Sequence, residues 1–181
     1  MLSLKTILLG ASLAAIASCL PSADTTTGLL AVRQVDIADG TVIYWARDGS
    51  AAQADEEARA LQLDRREQCG DNAVTCHGSH KATTESCLSL LKHLEVGGDM
   101  EKNKIDPEES RSVCAYTSSG KCCTSWTLPV FGAEMGYLHD AVLSIFNTCY
   151  SESGISGLSD HTIIGAGCLT QCLSDRETGC Y

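Results

Sequence analysis

The side chains with the most chemistry to offer in this 181-residue chain are its eleven cysteines and five histidines. Ten of the cysteines (Cys69, Cys76, Cys87, Cys114, Cys122, Cys123, Cys149, Cys168, Cys172 and Cys180) follow the dibasic pair Arg65-Arg66, while Cys19 precedes it. Such an even set can close five bridges or ligate a metal. Cys76-His77-x-x-His80, with Cys69 nearby, carries the residue types of a zinc site. A zinc site needs thiolates, however, and the export signal described below places these sulfurs in an oxidising compartment. All ten are therefore read as half-cystines, His77 and His80 as exposed loop residues, and no metal or other cofactor is expected.

The remaining polar groups give less. His93 and His139 fall on predicted helices among polar neighbours and read as solvent-facing imidazoles. His161 opens a predicted strand, where acid–base work would require a partner that nothing adjacent supplies. Asp106, Glu108 and Glu109 are close carboxylates in a charged loop; they read as a solvated run, with a weak calcium site as the alternative. Gly-x-Ser-x-Gly, His-Glu-x-x-His and a phosphate-cradling glycine loop are absent. Ser153-Gly154-Ile155-Ser156-Gly157 lacks the helix that must follow a nucleophile elbow and reads as a turn. Small secreted fungal ribonucleases need a glutamate and two histidines beside an arginine on a sheet, and their Tyr-Glu-Trp-Pro strand has no counterpart. No residue is assigned a catalytic role.

The chain begins MLSLKTILLGASLAAIASCLPSA, one lysine followed by an apolar run from Ile7 to Ile16 and small residues at Ala15 and Ala17. This pattern reads as a secretory signal peptide, residues 1–17 or alternatively 1–23. The run is too short for a hydrocarbon core about 30 Å thick, so no stable membrane insertion is expected. Ile16-Ala17-Ser18-Cys19 also resembles a bacterial lipobox, an alternative that the downstream arginine pair disfavours. Cleavage after Arg66 by a kexin-type protease would divide the exported chain into a pro-segment, 18–66, and a mature cysteine-rich domain, 67–181. The plainer reading makes the two arginines solvated charges in a linker.

The mature part carries 15 acidic and 7 basic side chains, a net charge of −8. That sign repels phosphate backbones and anionic lipids, so nucleic acid is not an expected partner. With few large aromatics, the domain is expected to lean on its crosslinks, each contributing about 2–4 kcal/mol.

Periodicity supplies the elements that must carry these groups. In the pro-segment, Val32, Gln34, Val35 and Ile37 alternate with polar neighbours, Asp39-Gly40 marks a turn, and Thr41-Val42-Ile43-Tyr44-Trp45 resumes, which predicts a hairpin. AAQADEEARALQL then reads as helix-prone. In the mature part, Cys87, Leu90, Leu91 and Leu94 give one helix a buried face. DMEKNKIDPEES reads as a mobile surface loop, and SVCAYTSSGKCCTSWTL as a hairpin turning at Ser119-Gly120. Neighbouring side chains on a strand face opposite ways, so Cys122 and Cys123 should bond to separate partners. Leu138, Ala141, Val142, Ile145 and Cys149 define a second helix, and His161–Ile164 a last strand. The expected fold is α+β: a small disulfide-rich two-layer sandwich, two helices packed on a short antiparallel sheet. Ten cysteines allow several hundred pairings, and spacing does not choose among them.

Cys69-Gly70, Val74-Thr75-Cys76, Ser112-Val113-Cys114, Cys122-Cys123-x-Ser125-Trp126, Ser156-Gly157-Leu158 and the closing Cys168-Leu169-Thr170-Gln171-Cys172-Leu173-Ser174-Asp175-Arg176 together resemble the small secreted fungal proteins grouped as "WD-like domain" proteins. The resemblance implies a fungal, exported, processed protein, and so speaks to origin and compartment more than to mechanism. No 40-residue propeller period is present. More loosely, the order of elements is similar to that of fungal necrosis-inducing effectors and smut killer toxins. The expected function is extracellular binding, effector- or toxin-like, by a monomer that meets an extracellular protein or cell-surface target through loops such as Val96–Ser110. A small secreted hydrolase such as a ribonuclease, and a structural wall or surface protein, are the alternatives.

Overall fold

The computed structural model describes residues 28–47, 69–105, 111–130 and 132–179. The signal sequence, the 51–63 helix candidate, Arg65, Arg66, the carboxylates at 106–109, Cys19 and Cys180 lie outside the described residues.

The alternating run after Gly28 forms β1 (Leu29–Ile37) and β2 (Gly40–Arg47), an antiparallel hairpin in which Ile37 faces Gly40. β3 (Ala73–Cys76) is short. β4 (Ser112–Thr117) and β5 (Gly120–Trp126) form the second hairpin, and β6 (Gly157–Ile164) and β7 (Gly167–Ser174) the third. In the third, Gly165 at φ +59° admits the two-residue turn. All seven strands join one antiparallel sheet in the order β1-β2-β4-β5-β7-β6-β3.

The two helices follow the apolar spacing: α1 (Thr84–Leu94) buries Cys87, Leu90, Leu91 and Leu94, and α2 (His139–Cys149), entered through a 3₁₀ turn at Met135–Leu138, buries Ala141, Val142, Ile145 and Cys149. Both feed one core with Val42, Tyr44, Val113, Ala115, Ile164, Leu169 and Leu173 from the sheet. Full burial of each leucine or isoleucine there contributes about 1.5–3 kcal/mol. On the opposite face of the sheet, Leu29, Ile43 and Trp45 close over Cys114 and Cys123.

Two helices on a short sheet is therefore not the architecture; the sheet dominates, with seven strands against two short helices. Two features enlarge it: the N-terminal hairpin pairs with β4, and the Gly-flanked cysteines near the C-terminus form the full strand β7. The segment read as a mobile loop is tied down over its described part. Met100 and Ile105 are buried, their amides donate to the carbonyls of His93 (3.0 Å) and Ala133 (3.0 Å), and Lys104 bridges to Glu134.

Candidate functional site

The last turn of α1, the entry to α2 and the outer end of β6 leave a cleft of about 440 Å³ between them. Its size lies within the range of small-ligand and side-chain-binding sites. Leu94 forms part of the floor, while Val96, Tyr137 and Ile163 stand at the mouth and are 91%, 55% and 51% exposed. Exposed apolar side chains that line one cleft mark a surface that can gain by being covered. Glu101, Glu134 and Asp140 line the same cleft and make it acidic. Glu101 is oriented by the Gly97 amide, which donates to its Oε2 at 2.9 Å, and Glu134 is 3.6 Å from Lys104 Nζ. The Gly136 amide donates to the Glu101 carbonyl at 2.9 Å; a Cβ at Gly136 would press on the Glu101 side chain at 3.0 Å, so the glycine lets the two walls meet. Asp140 Oδ1 lies 3.1 Å from Nδ1 of His139, another lining residue.

At the rim, β6 changes register between Ser159 and Thr162, and His161 takes φ +57°, which a non-glycine residue rarely adopts. Thr162 Oγ1 supports the bulge by donating to the Ser159 carbonyl (3.2 Å) and contacting its hydroxyl (3.0 Å). The bulge brings His161 Nδ1 within 3.1 Å of Asp71 Oδ1, and the Gly70 amide donates to the His161 carbonyl at 2.6 Å. A carboxylate only accepts, so the proton sits on Nδ1 and Nε2 is the basic atom of the neutral ring. The partner that sequence reasoning did not find for His161 is thus Asp71, ninety residues away along the chain. No local pattern could have revealed it.

The other histidines divide. His80 is exposed, as its loop position suggests, and lies 3.6 Å from Asp175. His139 is partly covered at the cleft. His93 does not face solvent: its side chain is 5% exposed, between Asp99 (3.4 Å) and Asp39 in the β1–β2 turn (3.7 Å). α1 is covered over a wider arc than its leucines mark, because Ser86, Ser89 and His93 are buried too.

The cysteines form four described bridges. Cys87–Cys122 ties α1 to β5, Cys76–Cys149 ties β3 to the end of α2, Cys69–Cys168 anchors the chain before β3 to β7, and Cys114–Cys123 joins facing residues of β4 and β5. Cys122 and Cys123 thus bond on opposite faces of β5, one toward the helices and one away. Cys172 is disulfide-bonded as well. Among the described residues, the metal-type cluster is Cys114, Cys123 and Glu177, and its two sulfurs are bonded to each other. Cys69 and Cys76, the thiols of the zinc-like motif, are likewise committed to bridges. Arg65 and Arg66 lie outside the described residues.

These crosslinks fit an oxidising, extracellular-type environment. Among the described residues, no helix is long and apolar enough to cross a membrane. Comparison with known proteins finds no matching curated protein and no matching solved structure. A family model described as Fungal WD-like does match, over residues 47–180. The match takes in both helices, β3 to β7, all four bridges and every residue of the cleft; on that ground the chain belongs to the fungal WD-like family.

Proposed function

We propose that this protein is exported, cut after Arg66, and acts outside the cell as a monomeric binding protein, effector- or toxin-like, with the cleft between α1, α2 and β6 as its recognition surface. The observation that carries this reading is the meeting of exposed Val96, Tyr137 and Ile163 with the carboxylates of Glu101, Glu134 and Asp140 in one concavity. Such a lining suits a protein or cell-surface target that presents a cationic group beside an aliphatic one. It disfavours nucleic acid and anionic lipid, as does the net charge of −8 on residues 67–181.

The test compares the secreted protein with a Val96→Asp/Ile163→Asp variant, both fluorescently labelled and applied to plant tissue and competing fungal cells. The variant should keep the far-UV CD spectrum and disulfide content while losing most surface retention. Equal retention by both proteins would remove the cleft from the account; retention in the producer's own wall fraction would favour a structural role. Intact mass of the secreted protein checks the processing step.

A second reading, a small hydrolase, draws on the His161–Asp71 pair at the cleft rim. It expects His161→Ala to abolish turnover of some substrate without changing stability. Turnover unaffected by that change would reject a catalytic role for the pair.

A further inference from the structure

We infer that the Leu29–Arg47 hairpin is a noncovalently held part of the mature protein: when the chain is cut between Arg47 and Cys69, the hairpin stays seated on β4, leaving two polypeptides in one sheet. The inference rests on the processing proposed above, and its basis is how β2 sits.

β2 pairs with β4 from Gly40 opposite Thr117 to Trp45 opposite Ser112. The pairing continues beyond the ladder, where the Arg111 amide donates to the Trp45 carbonyl at 2.7 Å. Both faces of β2 are covered: Val42, Ile43, Tyr44, Trp45 and Ala46 are all buried. Val42 and Tyr44 enter the main core, while Ile43, Trp45 and Leu29 cover the Cys114–Cys123 bridge. The Tyr44 hydroxyl accepts from Asn103 Nδ2 at 3.1 Å, and Asp39 in the turn stands 3.7 Å from His93 on α1.

No cysteine occurs between Cys19 and Cys69, so no disulfide can begin within the hairpin. Its covalent link to the body runs through the residues that contain Arg65-Arg66. Without the hairpin, β4 would become an open edge with unpaired backbone groups, and the Cys114–Cys123 bridge would lose the cover of Leu29, Ile43 and Trp45. The occupant that fits is an antiparallel ribbon, apolar on both faces, with no side chain at the residue facing Thr117. Gly40 meets that last demand: its φ is not left-handed, but a Cβ there would collide with the Tyr116 carbonyl.

The full chain is purified, treated with a kexin-type protease and run on gel filtration and native mass spectrometry without denaturant. A second preparation carries a foreign protease site inserted between Arg66 and Glu67, so that retention is tested whether or not Arg66 is cut. Hairpin and body should co-elute one to one and separate only in denaturant, with Gly40→Ala releasing the hairpin at least about tenfold faster, the factor that 1.4 kcal/mol implies. A hairpin that elutes free after either cut, while the body stays soluble with unchanged CD, overturns the inference. Resistance at Arg66 together with retention after the foreign cut overturns the processing reading, and with it the two-chain form of the mature protein, while supporting the seating of the hairpin on β4.

Discussion

The N-terminal hairpin and the body it pairs with belong to one sheet but are held by different means. In the body, α1, α2 and the chain before β3 are each bonded through sulfur to the strands they cover. The hairpin has no such bond and depends on backbone pairing, on burial of Val42 to Ala46, and on a few polar contacts. Crosslinks act mainly by restricting the unfolded chain, whereas burial acts on the folded state alone. The body can therefore tolerate loss of part of its apolar surface, and the hairpin cannot. Even so, the body's interior is more than filler between bridges. Leu90, Leu94, Met100, Met135, Leu138, Ile145, Ile155, Ile164 and Leu173 are fully buried, a larger core than the low aromatic content suggests.

The sharpest way to break this contrast is to truncate the hairpin's bulkiest buried side chain. Trp45→Ala removes a buried indole from above the Cys114–Cys123 bridge and should cost about 3–5 kcal/mol in urea unfolding. The body's counterpart is Cys87→Ser/Cys122→Ser, which opens a bridge spanning 35 residues. Its cost should be about 3–4 kcal/mol on the loop-entropy scale, with the hairpin still docked and Trp45 fluorescence unchanged. If the double serine variant loses the hairpin first, the division of labour is wrong.

Alkaline titration separates the regions more gently. Burial raises the Tyr44 hydroxyl above the usual tyrosine value, more than Asn103 and Arg33 lower it. Burial also raises Tyr116, and Glu177 adds to this; the Tyr116 hydroxyl donates to its Oε1 at 2.9 Å. Groups raised in the folded state contribute stability that is present below pH 10 and is lost as the pH climbs through the folded values. Urea midpoints should fall above pH 10, and Tyr44→Phe should blunt part of that fall.

The smallest effect lies in the hairpin turn. Burial pushes Asp39 up, but Ser89 and His93, which face it from α1, together with its own backbone amide outweigh burial, so the carboxyl sits below the ordinary value of 3.8. Its contribution is present above that value and disappears as the pH falls through the lowered one. Because Asp39 is about half exposed, Asp39→Asn should change stability at neutral pH by about 0.5 kcal/mol or less.

Local periodicity made both helices, the β4–β5 hairpin and the β1–β2 hairpin legible, because each has its apolar side chains at spacings set by its own geometry. The docking of β2 on β4 was not, since residues some seventy positions apart leave no shared pattern. β7 hid behind its composition: Gln171 and Ser174 are fully buried polar groups, and the Gln171 Nε2 donates to Thr124 Oγ1 (2.9 Å) and to the Leu138 carbonyl (3.0 Å). Met100 and Ile105 are isolated apolar residues in a charged stretch, so hydropathy alone assigns them to solvent. The cleft was the least legible feature, because Val96, Tyr137 and Ile163 come from three separate elements and only the fold brings them together.

The account turns on the hairpin being part of the same cooperative unit as the cysteine-bearing body, and amide hydrogen exchange on the full chain measures this directly. Amides of β2 that pair with β4 should be protected to the same degree as those linking β4 with β5 and β5 with β7, opening only with global unfolding. Rapid exchange along Val42–Trp45 while β5 and β7 remain protected would contradict it.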